Sequence, residues 1–184
     1  RAPQRGPRVL PAPPFMHGAA HWAAFTAWHV GGTVVVQSET RRLDARDLWS
    51  TIEREEVNAL TIVGDAFARP LLDELAHGRH RTASLRRLTT GGASLSAGCK
   101  REFLERIPGL RILDALGSSE SGAQAAKTAT GAREATSGDF EPAPDNTVLR
   151  EDLSGEVAPG SSEPGWLARR GFVPLGYLGD AAKT

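Results

Sequence analysis

Four short runs of this sequence place small, hydroxylic and charged residues where a ligand could be held. They are Phe15-Met16-His17-Gly18, Gly64-Asp65, Thr90-Gly91-Gly92-Ala93 and Leu116-Gly117-Ser118-Ser119-Glu120-Ser121-Gly122. The last is the richest. Glycine permits tight turns and close backbone approach. Serine hydroxyls and backbone N–H groups can hold phosphate oxygens, and a carboxylate among them makes chemical sense if Mg2+ bridges it to those phosphates. A solvated turn with an N-capping serine is the plainer alternative. Read alone, the Thr90 run is equally a flexible loop leading into a helix.

What precedes each run gives it weight. Short stretches rich in Val, Ile and Leu alternate with longer stretches of helical period, the pattern of βαβ units and a parallel sheet. Strands are predicted at 8–10, 33–37, 59–63, 88–90 and 111–115, with helices at 19–30, 45–56, 66–76 and 97–107. Asp44 and Ser96 stand where N-caps belong, and Gly31-Gly32, His77-Gly78 and Pro108-Gly109 stand where helices stop. Leu48, Trp49 and Ile52 are expected to face inward, Trp22 and Trp28 are expected to be core residues more than pocket residues, and Pro70 is expected near its helix start. Ligands of an open parallel sheet bind outside the carboxyl ends of its strands. The four runs follow the first, third, fourth and fifth predicted strands.

After Gly131 the composition changes to Pro, Gly, Ser and acidic residues, and the apolar runs shrink to 147–149, 155–157 and 166–168. The expected fold is α/β: residues 1–135 form a doubly wound, mostly parallel five-stranded sheet flanked by helices, and residues 136–184 begin a small β-rich unit.

Composition excludes other classes. The 184 residues are 40% hydrophobic, enough for one ordinary domain core. Lys plus Arg and Asp plus Glu each number 22, so no net field draws in nucleic acid or an anionic membrane. Cys99 is the only cysteine, which rules out an internal disulfide, argues against a thiolate zinc site and fits a reducing cytoplasm. No run approaches the roughly 18 apolar residues of a transmembrane helix. His17 and His21 have a metal-compatible spacing but no evident third ligand. His77 and His80, beside Arg79 and Arg81, read as a solvated basic loop, and His29 as packed at its helix end. Arg1 and the polar run ending at Thr184 lead us to expect a piece cut from a longer protein.

Beside this reading stands a resemblance. Asp114-Ala115-Leu116-Gly117-Ser118-Ser119-Glu120 looks like the tyrosine-glycine-any-threonine-glutamate motif of the AMP-forming acyl-CoA synthetases, members of the adenylate-forming superfamily. Thr90-Gly91-Gly92-Ala93-Ser94-Leu95 resembles their upstream glycine-glycine-alanine turn. Pro14-Phe15-Met16-His17-Gly18 resembles the histidine segment lining their acyl pocket. Gly165-Trp166-Leu167-Ala168 and Pro174-Leu175-Gly176-Tyr177-Leu178-Gly179-Asp180 resemble a later segment of bacterial fatty-acid and steroid side-chain ligases.

The resemblance implies ATP, Mg2+ and coenzyme A as reactants or cofactors, and a small-molecule carboxylic acid as substrate. Glu120 would coordinate Mg2+, and Ser119 would bond the α-phosphate. Gly91, Gly92 and Ala93 would flank the adenine on one side, and Asp114, Ala115, Leu116 and Gly117 on the other. His17, Trp22, Gly64 and Asp65 would shape the acid pocket. Leu116 departs from the usual aromatic and removes a stacking face, while Ser119 in place of threonine keeps the hydroxyl. The phosphate loop ending in lysine, the ribose-binding aspartate segment and the domain carrying the adenylation lysine are not found in these residues, so the isolated chain is expected to be inactive. A homo-oligomer is compatible with this family. An enzyme that loads a carrier protein and a non-catalytic nucleotide- or acyl-binding module are the alternatives.

Overall fold

Leu10, Leu60, Leu88 and Ile112 are each 1% exposed or less, and they form one row across a parallel sheet. The computed structural model describes residues 6–184. Its strands and helices alternate in the expected order: β1 (Arg8–Pro11), α1 (Gly18–His29), β2 (Thr33–Val34), α2 (Ala45–Arg54), β3 (Ala59–Ile62), α3 (Gly64–His77), β4 (Arg87–Gly91), α4 (Ala97–Arg106) and β5 (Arg111–Ser118). Beyond these lie β6 (Gly122–Ala129), β7 (Glu141–Pro142), β8 (Asn146–Arg150) and β9 (Gly165–Arg169). The strand order is β2-β1-β3-β4-β5-β6-β7, with β8 and β9 as a separate antiparallel pair.

The chain divides into two compact units. The first runs to Ala115 and resumes at Lys127–Asp139, and the second takes Leu116–Ala126 and Phe140–Thr184. In the first, α2, α3 and α4 cover the face carrying the Leu10 row, and Trp49, Ile52, Leu71 and Phe103 fill the space between. Each fully buried Leu or Ile contributes about 1.5–3 kcal/mol. Trp49 keeps its indole satisfied by donating to the Leu71 carbonyl at 2.9 Å. Asp44 and Ser96 are the caps expected, their side chains accepting from the Asp47 and Cys99 N–H groups at 3.0 and 3.3 Å.

The opposite face meets α1, making the sheet doubly wound. Helix α1 buries Ala20, Ala24 and Ala27 and turns its aromatics out, with Trp22 45% and Trp28 53% exposed. This corrects the core expectation for both tryptophans. The sheet accepts α1 through an alanine stripe at spacings of four and three, where small side chains let Ala27 pack on Val9 and Ala59.

Four further expectations are corrected. Two more strands, β6 and β7, extend the sheet beyond the five expected, because the Ser119–Ser121 turn sends the chain straight back from β5. Helix α3 starts at Gly64, so Pro70 lies inside it. Pro70 and Ala66 are both exposed, which lets the Ala66 carbonyl that loses its helical donor turn to water. His29 is exposed, its Nδ1 bonded to the Phe25 carbonyl at 2.8 Å. His80 is 9% exposed in its side chain, its Nε2 2.9 Å from Glu74 Oε1 and its ring 6.4 Å from that of Trp49. That leaves Arg79 and Arg81 as the solvated part of the loop. Among the described residues no helix is long and apolar enough to cross a membrane.

In the second unit β6 pairs antiparallel with β7, Ala125 opposite Pro142. Strands β8 and β9 pair from Asn146 opposite Arg169 to Arg150 opposite Gly165, and Leu149 also bridges Glu156.

Candidate functional site

In the first unit the strand ends are tied to one another by side chains. Gly64 opens α3 directly from β3, at φ +53°, and its N–H donates to the buried Thr90 hydroxyl at 3.1 Å. The Asp65 N–H donates to the Ser94 carbonyl at 3.0 Å. Its carboxylate accepts from the Ser96 N–H at 2.7 Å and from Arg69 at 3.0 Å. Partial burial raises the Asp65 pKa, but the bonds from Ser96 and Arg69 outweigh it and hold the group below its ordinary value. The Gly91 to Ser96 loop is therefore fixed by the residue expected to shape an acid pocket. Gly92 has φ +79°, a left-handed conformation that a side chain would strain. Gly91 is half-buried, while Gly92 and Ala93 are exposed at the end of β4.

Asp114 occupies the same sheet face as Leu88 and Ile112 and is buried against α4. Lys100 Nζ donates to its carboxylate at 2.6 Å and to the Thr136 carbonyl at 2.8 Å. Lys100 is not among the residues singled out from sequence. A signal exists, since it stands three residues before Phe103 and seven before Ile107, on the buried stripe of α4. Ala115 follows Asp114, half-buried and paired with Gly91.

On the other sheet face, a cavity of about 360 Å3 opens between α1 and the strands. Trp22, Thr26 and Val30 form its helix wall, and Thr61, Thr89 and Leu113 its sheet wall. Its lining includes Trp22 but not His17, Gly64 or Asp65. His17 is exposed at the N-cap of α1, with its backbone N–H bonded to the Pro14 carbonyl at 3.0 Å and no capping bond from its ring. His21 instead packs its ring on Phe25, with centroids 4.8 Å apart.

In the second unit, Leu116 is 41% exposed at the end of β5. A Cβ on Gly117 would collide with the Gly122 carbonyl oxygen, so the returning strand alone demands glycine there. Ser118 Oγ accepts from the Ser121 N–H at 3.1 Å and lies 2.9 Å from Ser121 Oγ, tightening the turn that presents Ser119 and Glu120 to solvent. The Tyr177 hydroxyl donates to Glu120 Oε1 at 2.6 Å. That bond holds the Glu120 carboxyl below the ordinary range and raises the Tyr177 phenol. A pocket of about 330 Å3 adjoins, lined by Ser119, Glu120, Pro174, Leu175, Tyr177 and Thr184.

No group of three or more metal-ligating side chains occurs among the described residues. Mg2+ does not require one, because it keeps several waters and takes one or two carboxylates plus substrate phosphates. A single exposed carboxylate beside a hydroxyl is a donor set of that kind, so the Glu120 turn fits the ion.

The model of the family described as AMP-binding enzyme matches residues 1–177. The medium-chain acyl-CoA ligase Mig of Mycobacterium avium is 46% identical over 97% of this chain and 32% of its own length. The 3-oxocholest-4-en-26-oate--CoA ligase of Rhodococcus rhodochrous is 35% identical over 95% of this chain and 32% of its own. The chain thus spans about a third of the length of these curated relatives. Among solved structures, the nonribosomal peptide synthetase FmoA3 matches with a TM-score of 0.80 at 20% identity, over 97% of this chain and 20% of that one. The amide bond synthetase McbA of Marinactinospora thermotolerans matches at 0.75 and 23%, over 98% and 36%. These two likenesses establish the fold alone, whereas the family match extends through nearly every element described above: this chain belongs to the AMP-binding enzyme family.

Proposed function

We propose that this chain supplies acid- and nucleotide-binding elements of an acid-CoA ligase acting on fatty or steroid-derived carboxylic acids. The observation that carries this reading is 46% identity, across 97% of the chain, to a protein named a medium-chain acyl-CoA ligase. An oxygen of the acid attacks the α-phosphorus of ATP, the bond to the bridging oxygen breaks and pyrophosphate leaves. The CoA sulfur, its proton given up to solvent, then attacks the acyl carbonyl, and AMP leaves with its electron pair. Charge builds on phosphoryl oxygens in the first step and on the acyl carbonyl oxygen and the departing phosphate in the second, so positioning and electrostatics do most of the catalysis.

The Ser119 hydroxyl donates to an α-phosphate oxygen, and Glu120 is the protein carboxylate for Mg2+, which when bound neutralises phosphate charge. Gly91, Gly92 and Ala93, with the Asp114 to Gly117 backbone, contact the adenine. The cavity beside α1 takes the acid's apolar tail, His17 sits at the carboxylate end, and the Gly64-Asp65 corner helps shape the pocket.

A chimera tests the whole reading. The 179-residue segment of the Mycobacterium avium relative that matches this chain is exchanged for it, and thioester formation is followed with medium-chain acids. Acid- and CoA-dependent release of AMP is expected. A folded chimera that adenylates no acid would sink the proposal, and adenylation without CoA dependence would favour carrier-protein loading. Residues 1–184 alone are expected to show no acid-dependent exchange of pyrophosphate into ATP, because the phosphate loop and the adenylation lysine lie elsewhere in such enzymes. Exchange above a Glu120→Ala control would contradict this.

Trp22→Ala enlarges the cavity. In the full-length protein it is expected to shift preference toward bulkier tails by about 10- to 200-fold, the worth of a methylene-scale contact, with the KM for ATP little changed. Because Trp22 is 45% exposed, the melting temperature should fall far less than for a fully buried aromatic, whose truncation costs about 3–5 kcal/mol. An unchanged ranking of acids would remove Trp22 from the pocket.

A further inference from the structure

The turn that carries Glu120 is braced by side chains from outside the motif. The Tyr177 hydroxyl reaches Glu120 Oε1 across 57 residues of sequence at 2.6 Å. Arg169 Nη1, on β9, donates to the Ser121 carbonyl from 48 residues away and lies 3.4 Å from the Ala123 carbonyl oxygen. Tyr177 is fixed in turn. Its N–H donates to Thr184 Oγ1 at 3.0 Å, the Thr184 hydroxyl donates to the Asp180 carbonyl at 3.0 Å, and Tyr177 bridges Asp180. The phenol thus comes from a loop closed on itself.

Such an arrangement orients a carboxylate rather than reacting. A free Glu side chain samples several rotamers, and a hydrogen bond to one oxygen selects the plane in which the other is presented. Outer partners of this kind set the orientation of metal-ligating groups and typically change metal affinity by about 10- to 100-fold when removed.

We propose that Tyr177 is a positioning residue for Glu120, its hydroxyl holding Oε1 so that Oε2 faces the cation that accompanies the nucleotide. This rests on the reading of Glu120 as the Mg2+-side carboxylate. It gives the Pro174 to Asp180 segment a part in nucleotide binding that its sequence alone does not reveal.

Tyr177→Phe, Glu120→Gln and the double variant are made in the full-length protein that carries this segment. Two quantities are read: the Mg2+ concentration that half-saturates pyrophosphate exchange, and the calorimetric affinity for a non-hydrolysable ATP analogue across a Mg2+ series without turnover. Tyr177→Phe is expected to raise the Mg2+ requirement about tenfold in both, leaving the KM for the acid and the melting temperature unchanged. The double variant should be no worse than Glu120→Gln. If Glu120→Gln shifts the Mg2+ dependence and Tyr177→Phe does not, or if their losses add in full, the positioning role is overturned while the site reading survives. If Glu120→Gln has no effect on Mg2+ dependence, the metal-side reading fails and this proposal falls with it.

Discussion

Glu120→Gln in the full-length protein is expected to lower acid-dependent pyrophosphate exchange about 100-fold at limiting Mg2+, the upper end of what even an outer partner of a metal costs. The substitution removes a charge and little else. Glu120 is exposed, and the amide oxygen of Gln still accepts the Tyr177 hydrogen bond, so stability should change by no more than about 0.5 kcal/mol. Saturating Mg2+ should recover part of the rate, since the phosphates and water supply the remaining ligands. An unchanged rate at limiting Mg2+, with an unchanged melt, would remove the metal role from this turn.

Lys100→Met is expected to have the largest effect on stability. The ammonium and the Asp114 carboxylate are 2% and 9% exposed, so removing one partner strands a charge that water cannot reach. Breaking a buried pair in this way costs about 3–5 kcal/mol, whereas replacing both partners with apolar groups is often neutral. The Thr136 carbonyl also loses its donor. A fall of about 10 °C in melting temperature is expected, on the usual scaling of about 2–4 °C per kcal/mol for 150–250 residues. Lys100→Met with Asp114→Leu should regain most of it. A single variant that melts within a degree or two of wild type would mean that water screens the pair.

Much of the first unit was legible because its signals are local. The caps at Asp44 and Ser96 depend on residues three apart, and β1 and β3, buried on both faces, read as short continuous apolar runs. The antiparallel return from β5 was not legible. Gly117 to Gly122 reads as a loop by propensity, and β6, Gly-Ala-Gln-Ala-Ala-Lys-Thr-Ala, has no run of β-branched or aromatic residues to announce a strand. Its strand state follows from being paired in the sheet, which is a tertiary cause. Trp22 and Trp28 misled because residue type was weighed above the alanine spacing beside them. At the candidate site, the residues near the strand ends could be found from glycine and charge. Tyr177 and Arg169 could not, since contacts across 57 and 48 residues leave no local trace.

The parallel row from Leu10 through Leu60 and Leu88 to Ile112 also bears on how the molecule is made. Its members are 50, 28 and 24 residues apart in sequence, so each pairing must close a long loop before its contacts form. Strand β1 lies between β2 and β3, yet β2 offers it only two registered partners. On a ribosome, Val9, Leu10 and Pro11 emerge well before Ala59, Leu60 and Thr61, and that edge of β1 stays open throughout the interval. Of these three pairings the one between β1 and β3 spans the longest stretch of sequence, and over that interval the nascent chain exposes an apolar edge for chaperones to shield.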